Sequence, residues 1–512
     1  MSPQPLLEQV LEHTQALRFE ALPAEVVQAA VTFITDSIGV ALAGSRHPRL
    51  AQVLQAAQGW GQVQAGHAGH GDHAGGGARD WASGQRWPAP TAALLNAYQV
   101  HNQEFDCVHE RAVVHPLATI LPTLVAQAEA MAATTGAATG AAIGAAIGAD
   151  TAAAAPVSGA QLIEALVLAV DLATTLGCAQ VAPMRFFRPA MCGALGAALG
   201  AAKLAGCSRA QMADALGLAY SQLAGTMQAH SEGSPALALQ VGFAARAALM
   251  AVDLARAGFS GPHDVLQGPY GYFDLFDAPL APRLELVRAV FAEVFLPSST
   301  RHRINELSHK PFPTGRAAHG ALDGLARLQA AHGFTAAEVG AVTLAAPPLI
   351  LRLVGRPWRA DMDVNYARLC LPYLAATQLR HGAVRLQHFE PAAVADASLQ
   401  ALAEQVRWVP NEVVDANALA PQTLSVSLHS GPTFSVHLPQ VLGHPSQALS
   451  IGAQQNKFEA CCAFAGMAPQ AIQNLAQGCA ELPQLRDLRD WVDLMQVHPA
   501  AGPPHLAEAR TP

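Results

Sequence analysis

Charge is scarce in this sequence. Only 13% of its 512 residues are Asp, Glu, Lys or Arg, and the formal net charge is −8. A nucleic-acid binder presents a basic face, and no run of Lys and Arg supplies one, which argues against that class. Aromatic residues are also sparse, at 6% against 51% hydrophobic residues overall, and this predicts many small-residue helices packed closely together. The eight cysteines, at 107, 178, 192, 207, 370, 461, 462 and 479, contain no CxxC pair, and the adjacent pair 461–462 is poor disulfide geometry. Such usage fits a reducing compartment, so a cytoplasmic location is expected. The opening stretch MSPQPLLEQVLEHTQ carries Glu8 and Glu12 and has no basic region followed by an apolar core, so it does not read as a secretory signal. The nearest approach to a membrane span, residues 132–155, is mostly Ala, Gly and Thr with Ile143 and Ile147 as its only large apolar residues. A span needs about twenty strongly apolar residues, so no membrane association is expected.

Several common signatures are missing as well. There is no GxSxG elbow, no Walker-type GxxxxGK and no GxGxxG following a strand. His109-Glu110 and His115 fail the helical zinc-hydrolase pattern, because the two histidines stand six apart rather than four. His67, His70 and His73 beside Asp72 offer metal ligands, but among so many glycines they read as a surface loop. Neither a metal nor a cofactor is expected.

The length suggests two domains. Through residue 305 the chain reads as helix after helix. In PLATILPTLVAQAEA, residues 117, 120, 121, 124 and 125 repeat at helical spacing, Pro116 suits the first turn, and Pro122 should kink the helix. Gly177 and Gly258 sit where helix C-caps belong. From 306 to 438 the texture changes. EVGAVTLAAPP alternates like a half-buried strand, and QTLSVSLHSGPTFSVHLP reads as a hairpin about its Ser-Gly-Pro turn. Residues 439–512 return to helix and end in a loose tail. The expected fold is mainly α, a helical domain built from both ends of the chain, with a smaller α+β lid inserted.

The scarce charges are crowded into HNQEFDCVHERAVVHP, residues 101–116, which hold His101, Glu104, Asp106, Cys107, His109, Glu110, Arg111 and His115. Three times a basic residue directly precedes a proline near an expected helix start: His115-Pro116, Arg188-Pro189 and Lys310-Pro311. A helix start offers free N–H groups and a positive dipole end, and a cationic side chain there completes a cradle for an anion. Removing a proton next to a carboxylate requires such cations to stabilise the enolate, with His or Glu as the base and a second acid for the leaving group.

ALLNAYQVHNQEFDCVHERAVVHP resembles the first motif of the MmgE/PrpD family, LNxxxxHxxDFDDxxxxxxxHP. Further matches follow in order: FFRPAMCGALGAALGAAKLAG, GPHDVLQGPYGYFDLF, HKPFPTGRAAHGALDGL, ARLCLPYLAA and GHPSQALSIGAQQNKF. Together they span about residues 10–480. The family includes 2-methylcitrate dehydratase, cis-aconitate decarboxylase and iminodisuccinate epimerase. The resemblance implies a cofactor-independent homodimer acting on a small polycarboxylate at a site between the two domains. It assigns His115 to proton transfer, Lys310 and Tyr373 to the acid side, and His101, Glu104 and Asp106 to supporting or exchanging protons. Arg188, Arg316 and His319 would hold the substrate.

The chain also departs from the family pattern. Glu104 replaces an Asp, Cys107 another Asp, Arg188 a His, and Leu237 and Gln240 stand for a Lys and a His. Arg cannot act as a general base. These changes disfavour cis-aconitate decarboxylation and favour a dehydratase, with an epimerase or a non-catalytic polycarboxylate binder as the alternatives.

Overall fold

The computed structural model describes residues 4–61, 77–136 and 156–497. The His/Gly run at 67–73 and most of the Ala/Gly run at 132–155 lie outside these residues. The chain is mostly helical with a small sheet region.

The helices that build the body are α1 (Ala24–Gly44), α2 (Ala89–His101), α3 (Pro116–Gly136), α4 (Gly159–Cys178), α5 (Arg188–Leu204) and α6 (Ala236–Arg256). Small residues let them approach closely, as the composition predicts. A Cβ added at Gly196 of α5 would lie 2.4 Å from the Ala169 carbonyl oxygen of α4, so only glycine fits that crossing. Pro116 opens α3 as expected, and Pro122 is held inside it. Gly258 follows α6 with φ +87°, a left-handed stop. Gly177 differs from the expectation. It lies within α4, and its bare Cα faces Ala112, whose carbonyl a Cβ would meet at 2.7 Å. Close packing against the 101–116 segment, not capping, explains this glycine.

Helices α1, α4 and α6 are long and apolar enough to cross a bilayer by length and composition, with 72%, 83% and 56% of their apolar windows buried in the fold. Helical periodicity alone does not separate such core helices from spans.

The sheet comprises β3 (Val339–Ala346), β4 (Val406–Pro410), β5 (Gln422–Leu428) and β6 (Thr433–Leu438), in the order β4-β3-β5-β6. Strand β3 and the β5–β6 hairpin fall where alternation predicts them, with Gly431 turning the hairpin at φ +110°. Strand β4, paired parallel to β3, was not legible in advance. Helices α7 (His319–His332) and α8 (Leu371–His381) pack against the sheet. Helix α9 (Ile451–Ala465) returns to the body and lies on α1, where Phe458 crosses Gly39 and Lys457 pairs with Asp36 at 2.7 Å.

A short ladder positions the charged segment. Strand β1 (Val108–His109) pairs antiparallel with β2 (Leu307–Ser308), and this register brings Lys310 beside residues 104–106. Lys310-Pro311 does not open a helix, contrary to expectation. The chain runs irregularly through Pro313 and turns helical only at Arg316.

Candidate active site

Residues 102–115 join the end of α2 to the start of α3, so His101 and His115 enter from the ends of two neighbouring helices. The link is bent hard. Glu104 has φ +50° and Val113 φ +54°, in the left-handed region that a β-branched residue rarely occupies. Each such residue costs about 1–3 kcal/mol and persists only where its surroundings hold it. Here two ammonium groups hold consecutive carbonyls. Lys310 Nζ donates to the Glu104 carbonyl at 3.0 Å and to its carboxylate at 3.2 Å. Lys457 Nζ donates to the Phe105 carbonyl at 2.8 Å while paired with Asp36. The whole chain has only three lysines, and this loop uses two of them.

Asp106 is the hub. Its Oδ2 lies 3.0 Å from His101 Nδ1 and 3.2 Å from His115 Nδ1, and its Oδ1 lies 3.8 Å from Lys310 Nζ. Burial raises its pKa, but His101, then the neighbouring His115 ring and the Lys310 ammonium, outweigh that and hold the carboxyl well below its usual range. Glu104 is likewise depressed to about 2, because Lys310 and His101 overcome its burial.

The two histidines are driven apart. Burial opposes the charged form of His101, yet Asp106 and Glu104 raise its pKa above the ordinary 6.5. His115 is lowered by burial and by Lys310, which exceed the pull of Asp106. The first imidazole therefore holds its proton more firmly than its neighbour, 5.0 Å away ring to ring, which favours the neutral form. Such a split assigns an acid and a base. The His115 side chain keeps 12% exposure, against 1% for His101.

Both histidines and Glu104 line a cavity of about 570 Å³, counting the open space at its mouth. Sequence reasoning missed His230, which lines the same cavity and is lowered to about 4 by burial and by Arg356. It sits alone in a five-residue helix, Gln228–Glu232, with no neighbouring pattern to mark it.

Other expected site residues are engaged elsewhere. Arg188 donates to the Ala182 carbonyl at 3.0 Å and to that of Ala112 at 3.5 Å, and it lines a separate small pocket. Arg316 borders the cavity, but its guanidinium is spent on Glu110 at 2.6 Å and on the carbonyls of His309, Val441 and Leu442. His319 is fully buried between Arg316 and the Thr314 carbonyl, and burial with the Arg316 charge holds it far below 6.5, so it is neutral. The Tyr373 hydroxyl donates to the His388 carbonyl, and burial raises it to about 12. Cys107 is buried and pushed well up by burial, then by Asp36 and Asp106, so it offers no thiolate.

Among the described residues, His101, Asp106 and His115 are the one group whose ligand atoms lie close enough, within 4.8 Å, to hold a metal ion. The arrangement suits proton exchange better. Both Nδ1 atoms face one oxygen, and a metal would meet the Lys310 ammonium beside the other.

Residues 8–284 match the MmgE/PrpD N-terminal domain, and residues 312–482 match the MmgE/PrpD C-terminal domain. The chain belongs to the MmgE/PrpD family. It is 25% identical to mouse cis-aconitate decarboxylase over 388 residues, 73% of this chain and 72% of that protein. It is 28% identical to the Aspergillus terreus cis-aconitate decarboxylase over 261 residues, 50% of this chain and 47% of the relative. A cis-aconitate decarboxylase-like protein, oryM, of Aspergillus oryzae is 24% identical over 77% of each chain.

Proposed function

We propose that this protein is a lyase that removes a proton next to a carboxylate of a small organic acid, with dehydration as the overall reaction. The observation that carries the reading is the shared carboxylate. Asp106 serves two histidines whose protonation is driven in opposite directions. His115, neutral and partly open to the cavity, takes the proton at Nε2, and Asp106 at its Nδ1 stabilises the imidazolium that forms. His101 and Lys310 supply positive charge where the enolate develops. His101, whose Nε2 has no hydrogen-bond partner, donates to the leaving hydroxyl. Tyr373 was expected in that acid role, but its hydroxyl is already committed to His388.

Decarboxylation is the second reading, favoured by the names of the relatives. Against it stands Arg188, which takes the place of a family histidine and is tied to two backbone carbonyls. Incubation with citrate, methylcitrate and cis-aconitate separates the two. An absorbing alkene formed without gas supports the dehydratase, and carbon dioxide release supports the decarboxylase.

A further inference from the structure

The cavity wall holds much hydrocarbon and little free charge. Met184, Phe187, Met227, Leu237, Leu353 and Leu419 all face it. Of the ionised groups that line it, Glu104 is answered by Lys310 and Arg316 by Glu110, both from behind the wall. His115 and His230 add no charge at neutral pH. A compact tricarboxylate seated there would bring several charges against largely apolar walls, a costly desolvation.

A second, smaller pocket of about 310 Å³, again counting the open space at its mouth, adjoins the first and shares His101, Glu104, Leu237 and Leu369. Its other walls are mixed, with Asn102, Ser234, Asn365 and Arg368 beside Pro235 and Ala238. Arg368 is buried, donates to the Gln103 and Pro313 carbonyls and to the Gln103 amide oxygen, and lies over the Phe389 ring at 4.1 Å. Burial lowers it to about 9 against the pull of Glu104, which leaves it cationic at neutral pH, and no carboxylate among the described residues lies within ion-pair distance of it. Arg356 stands behind Gly233 of the same pocket, with a buried Nη1 that has no partner. The buried Arg368 and the larger apolar chamber therefore belong to two pockets that meet at His101, Glu104, Leu237 and Leu369.

We infer that the substrate is an acid with a hydrocarbon arm of several carbons, its carboxylate head in the Arg368 pocket and its arm in the Met184–Leu353 chamber. The inference rests on the proton-abstraction reading only for placing the reacting carbon between them, beside His101 and His115. Leu237, which lines both pockets, becomes the residue that sets this preference.

The test is calorimetric binding of succinate and of methyl-, propyl-, butyl- and hexylsuccinate to the full-length protein, with citrate and cis-aconitate alongside. Burying each methylene should tighten Kd by about threefold to fourfold until the chamber fills. Leu237→Lys should flatten the series and favour citrate. If the variant fails to fold, the wild-type series decides alone. Affinity that stays level or falls with chain length, or tighter binding of citrate and cis-aconitate than of every alkyl acid, overturns the inference, as does failure of the whole panel to bind. Deuterium exchange at the α-carbon is scored separately. Chain-length preference without exchange refutes only the proton-abstraction reading, whereas exchange without chain-length preference refutes only this inference.

Discussion

His101 and His115 approach the same carboxylate oxygen of Asp106, at 3.0 and 3.2 Å, from the ends of two different helices. The carboxylate is hydrogen-bonded to His101 and within ion-pair distance of His115, and the Lys310 ammonium lies 3.2 Å from Glu104 beside them. The predictions below follow from that geometry.

The first concerns pH and rate. Activity needs His115 neutral and His101 protonated, so kcat/KM should be bell-shaped. The rising limb lies below the ordinary histidine value of 6.5, because His115 is lowered, and the falling limb lies above it, because His101 is raised. Both apparent values belong to the coupled pair. Substituting Lys310→Met removes a charge that opposes the protonation of both histidines and should move both limbs upward. A stopped-flow profile from pH 4.5 to 9.5 checks the order of the limbs.

The second concerns pH and stability. Glu104 is largely buried, and its pKa falls from 4.5 to about 2 on folding. A carboxylate depressed in the folded state stabilises the fold above its unfolded pKa and loses that contribution as pH falls through the folded value. At neutral pH the contribution is about 3 kcal/mol, and it should decline between about pH 4.5 and pH 2. Urea unfolding at pH 6 and pH 3 should show a smaller difference for Glu104→Gln than for the wild type.

Arg316 provides a contrast between fold and chemistry. Its guanidinium holds Glu110 at 2.6 Å and three backbone carbonyls, so Arg316→Met leaves a buried acid unpaired. A loss of about 3–5 kcal/mol in unfolding free energy is expected. Proton exchange per folded molecule should fall much less than in a His115 variant.

Lys457 acts on the site from α9 by clamping the carbonyl between Glu104 and Asp106. Lys457→Met strands Asp36 in the core, and a cost of about 3 kcal/mol is expected. The double variant Asp36→Leu with Lys457→Met should recover most of the stability but not the activity, since the loop clamp stays absent. Chemical denaturation and exchange rate, measured on the same samples, separate the two effects.

What the sequence revealed depended on how local each interaction is. Residues 101–116 were legible as a link between helices because caps, prolines and crowded charges lie within sixteen positions. Strand β3 and the β5–β6 hairpin were legible by alternation and a Gly-Pro turn. The partners of the cations were not. Arg316 was expected to clamp substrate, but Glu110 lies 206 residues before it and the Val441 and Leu442 carbonyls about 125 after it. Arg188 shows the same problem, since a basic residue before a proline reads as an anion cradle until Ala112 and Ala182 take its protons. Arg368, next to an expected site helix, passed unnoticed because nothing local shows it lacks an acid partner.

The most direct measurement is proton NMR of the wild type and His115→Gln in D₂O, with a panel of di- and tricarboxylates and their alkyl-substituted relatives. The wild type should wash out a C–H signal next to a carboxylate. His115→Gln, folded by circular dichroism, should exchange about 10²–10⁴-fold more slowly. Equal exchange in the two proteins, or none from the wild type with any acid, would contradict proton abstraction by His115.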